Sequence, residues 1–198
     1  MDEGITWLAE PDRWQHTLVF ARGITPGELA VRMGGIPGSV TAPVTDGQAW
    51  DLVYDPSSRD EDVVRVGEHG AWSFAVEYGL GDGAARLADV SAGGVEAINL
   101  DPCADHPPSM FHYANDGHLV CGFGIGEEVW RWGTQPDLLL PELIAASILD
   151  GDGEYIRPDD EPFYERDRCT LALIETRFGL SLPHDVLAEE PLPAFVIA

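Results

Sequence analysis

Lysine is absent from this chain. All 11 basic residues are arginines, and 35 acids oppose them for a formal net charge of −24 over 198 residues. Without an ammonium there is no lysine Schiff base, no phosphate-loop lysine, no kinase-type lysine and no Ser-Lys pair. The carboxylate excess also disfavours nucleic acid and anionic membranes, because neutralising phosphates takes clustered cations. Cysteine is scarce, with only Cys103, Cys121 and Cys169, an odd count that does not make a disulfide framework. No apolar run approaches the ~20 residues that span a bilayer. The first twenty residues carry Arg13 as their only cation and so lack a basic signal region, which makes a cytoplasmic location the expectation. There are no internal repeats and no low-complexity tracts.

What is present is enough to fold. A chain of this length buries roughly 70% of the surface its unfolded form exposes. Six Trp, seven Phe and five Tyr supply the apolar area that a disordered acidic chain lacks. Lysine absence beside abundant Gly, Ala, Asp, Arg and Pro fits the codon bias of a GC-rich genome, with salt adaptation as the competing explanation.

Strand signals dominate residues 1–135. Residues 15–22 alternate, with Leu18, Phe20 and Arg22 on one face. Trp50, Leu52 and Tyr54 suggest a short strand, and Val63, Val64 and Val66 another. Glu68-His69-Gly70 reads as a turn into the alternating run Trp72, Phe74, Val76 and Tyr78, expected to be half-buried. Residues 95–100 form a strand. Residues 110–114 and 118–124 flank Asn115-Asp116-Gly117, a strong hairpin signal, and residues 128–132 make the last strand. A helix opens at Thr25-Pro26, where Thr25 caps and Glu28 completes an S/T-x-x-E box, and stops at Gly34-Gly35. A short helix over 84–92 follows the glycines at 79, 81 and 83. Residues 136–198 are helical, over 137–149, over 163–178 up to Gly179, and after Pro183, and the apolar tail AFVIA docks. The expectation is one α+β domain over 1–198. It has a mainly antiparallel sheet of about six or seven strands, covered on one face by three or four helices that concentrate in the C-terminal third.

Three motifs resemble ligand sites. Gly79-Leu80-Gly81-Asp82-Gly83-Ala84 follows a strand, opens a helix and precedes a strand ending at Asp101, as in a dinucleotide fingerprint. The alternating strand before it carries Glu77, unlike a central parallel strand, so a plain glycine turn is the favoured reading. Asp150, Asp152, Glu154 and Glu161 occupy positions 1, 3, 5 and 12 of a calcium loop, but Tyr155 stands where the turn needs glycine. Cys103, His106, His112 and Cys121 suggest zinc, with His112 and Cys121 facing each other across the hairpin, but C-x-x-H lacks a second tight pair. The favoured expectation is that no metal or cofactor is bound.

There is no G-x-S-x-G elbow and no H-E-x-x-H, which favours a binding protein over an enzyme. Arg22, Glu77 and Arg131 lie on or beside strands and mark paired buried ions or, for the arginines, anion recognition. Trp130, Arg131 and Trp132 alternate at the end of the sheet, as core residues or as a binding surface, the core being favoured. Arg22, Glu77, Trp130 and Arg131 are therefore the candidate binding residues.

In order along the chain, 18–35 (LVFARGITPGELAVRMGG), 72–78 (WSFAVEY), 86–92, 113–123 (YANDGHLVCGF), 138–141 (LLLP) and a late helix followed by LSLPHDVL resemble a family of small actinobacterial proteins known only as a domain of unknown function. The resemblance covers roughly the whole chain and its motifs are structural. It implies a cytoplasmic single-domain protein and no activity. Two functional expectations follow. The first is an acidic module that binds a basic protein partner, such as an immunity protein or antitoxin, with 55–62 and 150–161 as contact surfaces. The second is a small-ligand or cofactor-binding protein, or an enzyme, with its pocket between sheet and helices.

Overall fold

The computed structural model describes residues 4–54, 62–79, 81–103, 106–156 and 163–197. Its centre is one antiparallel eight-stranded sheet: β1 (Leu18–Arg22), β2 (Val63–His69), β3 (Trp72–Tyr78), β4 (Glu96–Asp101), β5 (Met110–Asn115), β6 (His118–Gly124), β7 (Glu127–Trp132) and β8 (Ala194–Val196), ordered β7-β6-β5-β4-β1-β3-β2-β8. Helix α1 (Pro26–Arg32) lies between β1 and β2, and α3 (Gly83–Ser91) between β3 and β4. The inner order β4-β1-β3-β2 with these two helices is the split β-α-β arrangement of ferredoxin-like domains. The meander β5-β6-β7 widens it on one side and β8 on the other.

The sheet is covered on both faces, not one. On one side, Val19, Ala21, Val64, Val66, Ala75, Ala97 and Ala114 pack against Leu29 and Ala30 of α1 and Leu87 and Val90 of α3. On the other, Leu18, Phe20, Phe74, Val76, Ile98, Phe111 and Phe123 pack under α4 (Leu140–Ala145), α5 (Phe163–Phe178) and α6 (His184–Glu189). All seven residues of β3 are consequently buried, where alternation alone suggests a half-buried strand. The described residues hold six helices, half of them before residue 92, so the C-terminal concentration holds only loosely.

Local chemistry explains where the elements fall. Thr25 Oγ1 accepts from the Glu28 N–H at 3.2 Å and starts α1, but the Glu28 carboxylate turns to Arg32 at 2.7 Å instead of closing the box. The closed box occurs at Thr45 and Gln48. It initiates α2 (Asp46–Val53) through residues whose alternation suggested a strand. Trp50 and Tyr54, four apart, stack at 5.5 Å on that helix. The Asp116-Gly117 turn has positive φ at both residues (50° and 79°), the primed geometry that tight hairpins need. The helix expected over 137–149 is a 3-10 turn, Pro136–Leu139, followed by α4. Helix α5 spans the expected residues and ends before Gly179, at φ 63°. The tail docks as strand β8, pairing Val63 with Val196 and Val64 with Phe195.

Candidate functional site

Arg22, Glu77, Trp130 and Arg131 do not converge. Arg22 ends β1 opposite Glu96 on β4. Its Nε donates to Glu96 Oε2 at 2.6 Å and its guanidinium lies 4.8 Å from the Trp72 ring centroid. Arg131 donates through Nη1 to the Glu128 carbonyl at 2.6 Å and through Nη2 to Asp137 Oδ1 at 3.0 Å.

Glu77 is 5% exposed and occupies the start of α3. Its carboxylate oxygens accept from the N–H groups of Asp82 at 3.1 Å and Gly83 at 3.0 Å. Burial pushes its pKa up to about 7, against the lowering effect of those two bonds. The helix N-terminus that a pyrophosphate would use is thus filled by the protein's own carboxylate. The chain around it also differs from a dinucleotide fold, because β1 lies between β3 and β4 and pairs antiparallel with both. Gly79 and Gly81 take positive φ (111° and 64°) as turn residues; Leu80 lies outside the described residues.

The residues that suggest a metal do not assemble into a site either. Tyr113 pairs with Cys121, and His112 with Gly122, so a residue-level alternation sends the two side chains to opposite faces. Cys121 joins the larger core, whereas His112 Nδ1 meets Asn99 Oδ1 at 3.2 Å. Burial pushes the Cys103 and Cys121 thiols up to about 11, away from the thiolate that metals and electrophiles require. In the acidic loop, Asp150 Oδ1 accepts from the N–H groups of Asp152 (2.8 Å) and Glu154 (3.0 Å), closing the turn on itself. Glu161 lies outside the described residues, as do 55–61 and 157–160 of the expected contact surfaces. Among the described residues no group of three or more His, Cys, Asp or Glu is placed to hold a metal ion.

Two other places gather chemistry. The first is a cleft of about 570 Å³ lined by Pro108, Ile125, Glu127, Trp130, Tyr155 and Asp167, among others. Trp130 is 71% exposed there, on the edge strand β7, so it is surface and not core. Arg166 also lines the cleft, 5.4 Å from the Tyr155 ring centroid. Asp167 is pushed up to about 6, by burial first and by the Glu128 carboxylate second. Glu128 itself is buried and accepts from Thr170 Oγ1 at 2.6 Å and from the Gly126 N–H at 2.8 Å.

The second is a buried polar cluster that strand-reading passes over. Arg65 interrupts Val63, Val64 and Val66 and is fully buried. It donates to the Tyr78 hydroxyl (2.6 Å), the Leu187 carbonyl (3.0 Å) and the Glu190 carbonyl (2.6 Å). Tyr78 donates to Asp46 Oδ1 at 2.7 Å, and His16 Nε2 lies 3.2 Å from the same oxygen. Burial lowers the His16 pKa, against the opposing pull of Asp46. The Glu77 carbonyl also favours the charged ring, yet His16 Nδ1 makes no hydrogen bond of good geometry. His16 and Asp46 line a recess of about 290 Å³ with Asp12, Arg13, Gln15 and His184. A charged residue inside a β-branched run is the sequence signal for such a cluster; its partners come from distant segments that no local pattern joins.

A family model described as "Family of unknown function (DUF6461)" matches residues 6–192. No curated protein and no solved structure is similar enough to match.

Proposed function

Because the chain belongs to this family of unknown function, we propose a function from its own chemistry: it is a non-enzymatic acidic module that binds a basic protein partner in the cytoplasm, in the manner of an immunity protein or antitoxin. One observation carries the reading. The positive charge of the described chain is largely consumed internally, while the acid excess is not. Arg13 pairs with Glu10, Arg22 with Glu96, Arg32 with Glu28, Arg65 with Asp46, Arg131 with Asp137 and Arg177 with Glu142. With a net charge of −24, the remaining carboxylates set a field that attracts cationic proteins and speeds their capture. The same field disfavours nucleic acid. No helix among the described residues is long and apolar enough to cross a membrane.

The test is affinity capture from the native lysate at low and at high salt, followed by titration of the purified partner. The expected partner is basic and is released as ionic strength rises. Recovery of a partner indifferent to salt, or of none, counts against the reading.

A second reading is favoured by the recess of about 290 Å³ that buried His16 and the Asp46 carboxylate line together. There the protein binds a small polar ligand between sheet and helices. A thermal-shift screen against nucleotides, anions and divalent metals tests it, since a bound ligand raises apparent stability by mass action. Flat melting curves across that panel remove this reading.

A further inference from the structure

We propose that the cleft beneath Trp130 receives a cationic side chain, a guanidinium or ammonium group presented by the basic partner; this rests on the acidic-module reading and names where and how the partner is gripped. Four features of the cleft support it.

First, Trp130 presents its indole to solvent on the edge strand β7. Tryptophan is the best aromatic platform for a cation and is enriched at binding hot spots. Among the described residues no cation lies over its ring. Second, the cleft already holds one such contact, since the Arg166 guanidinium in its lining lies 5.4 Å from the Tyr155 ring centroid, and Trp130 offers a second ring. Third, the lining sets two carboxylates, Glu127 and Asp167, against the single guanidinium of Arg166, beside the apolar surface of Pro107, Pro108 and Ile125. The stem of a lysine or arginine buries against such a wall while its head meets the acids. Burial first, and the Glu128 carboxylate second, push Asp167 up to about 6, and a cation beside it favours its ionised form. Fourth, the competing mode of docking on β7, strand addition, is obstructed. The Arg131 guanidinium covers the Glu128 carbonyl at 2.6 Å and approaches the Val129 carbonyl at 3.5 Å. A side chain entering the cleft avoids that obstruction.

The probe is a tetra-arginine peptide, with tetra-lysine as the second cation and tetra-glutamate as control, titrated calorimetrically at roughly 0.01 M and 0.15 M salt. The proteins are the full chain, Trp130→Ala, Trp130→Phe and the double variant Glu127→Gln/Asp167→Asn. The wild type binds tetra-arginine in a salt-sensitive way. Trp130→Ala weakens it about tenfold, Trp130→Phe retains most of the affinity because an aromatic face remains, and the double variant loses about tenfold or more. Melting temperatures show whether each variant is folded, and the exposed position of Trp130 keeps that substitution neutral to folding. Equal binding by the wild type, Trp130→Ala and the double variant overturns the cleft while leaving the diffuse acidic reading intact. Failure of the wild type to bind either cationic peptide at low salt overturns both.

Discussion

Replacing Glu77 by glutamine stabilises this protein at alkaline pH and leaves it nearly unchanged at acid pH. Glu77 is 5% exposed, and its ionised form is held by the N–H groups of Asp82 and Gly83. The loss of water outweighs those two bonds, and Asp82 and Asp101 add repulsion, so its pKa stands at about 7 against 4.5 for an ordinary glutamate. A group whose folded pKa is raised binds its proton more tightly in the native state. Its contribution is therefore full below pH 4.5 and is lost as pH rises through about 7. At about 1.4 kcal/mol per pH unit, that displacement is worth about 3 kcal/mol. Glutamine imitates the protonated acid in shape and charge and carries no titration. Urea unfolding at about pH 4 and pH 8 should show the two proteins close in stability at acid pH, with the variant ahead by up to about 3 kcal/mol at alkaline pH. Other groups, including His16 with its lowered pKa, titrate in both proteins and cancel in the difference. If the variant is instead weaker at pH 8, the bonds to Asp82 and Gly83 outweigh burial, and the account of this carboxylate is wrong.

Arg65→Met removes the cation that holds Tyr78 and two carbonyls near the end of α6; the carbonyls left without a donor should cost about 2–4 kcal/mol in urea unfolding. Gly133 has φ 114° and its missing Cβ would strike the Val120 carbonyl, so Gly133→Ala should lower stability by about 1–3 kcal/mol, read as a drop in melting temperature. Thr45→Ala opens the closed box on α2 and should cost about 1 kcal/mol; an unchanged midpoint would mean that tertiary packing alone holds that helix.

Features decided within a few residues were legible in the sequence. The β5–β6 hairpin follows from Asp116-Gly117, and α5 ends where Gly179 supplies a positive φ. The start of α1 follows from Thr25 and Pro26. Where two local signals compete, the outcome is less readable: the alternation of Trp50, Leu52 and Tyr54 yields to the helix cap at Thr45. Coverage of both sheet faces was not legible, because the alanines and valines of the second face look like ordinary strand residues until α1 and α3 pack on them. The candidate sites were harder still. Trp130 and Trp132 alternate identically on paper, but β7 is an edge strand and exposes Trp130. His16, Asp46, Arg65 and Tyr78 meet only because β1, β2 and β3 are neighbours and α2 covers their shared face.

The missing lysine and the acidic surface are connected through what the arginines do. Arg32 reaches the Val90 and Ala92 carbonyls at the end of α3 while holding Glu28. Arg65 ties the last carbonyls of α6 to the sheet, and Arg131 bonds its own strand's carbonyl and Asp137 together. Each task uses several N–H groups of a planar fork, which an ammonium on a flexible stem does not match. Each of these guanidinium groups also pairs with a carboxylate, Glu28, Asp46 or Asp137, and an ion pair cancels at a distance, so it contributes little to the distant field. On the proposed reading, the acid excess then acts almost alone on an approaching basic protein, and the cleft that Trp130 lines with Glu127, Asp167 and Arg166 is the proposed point of contact.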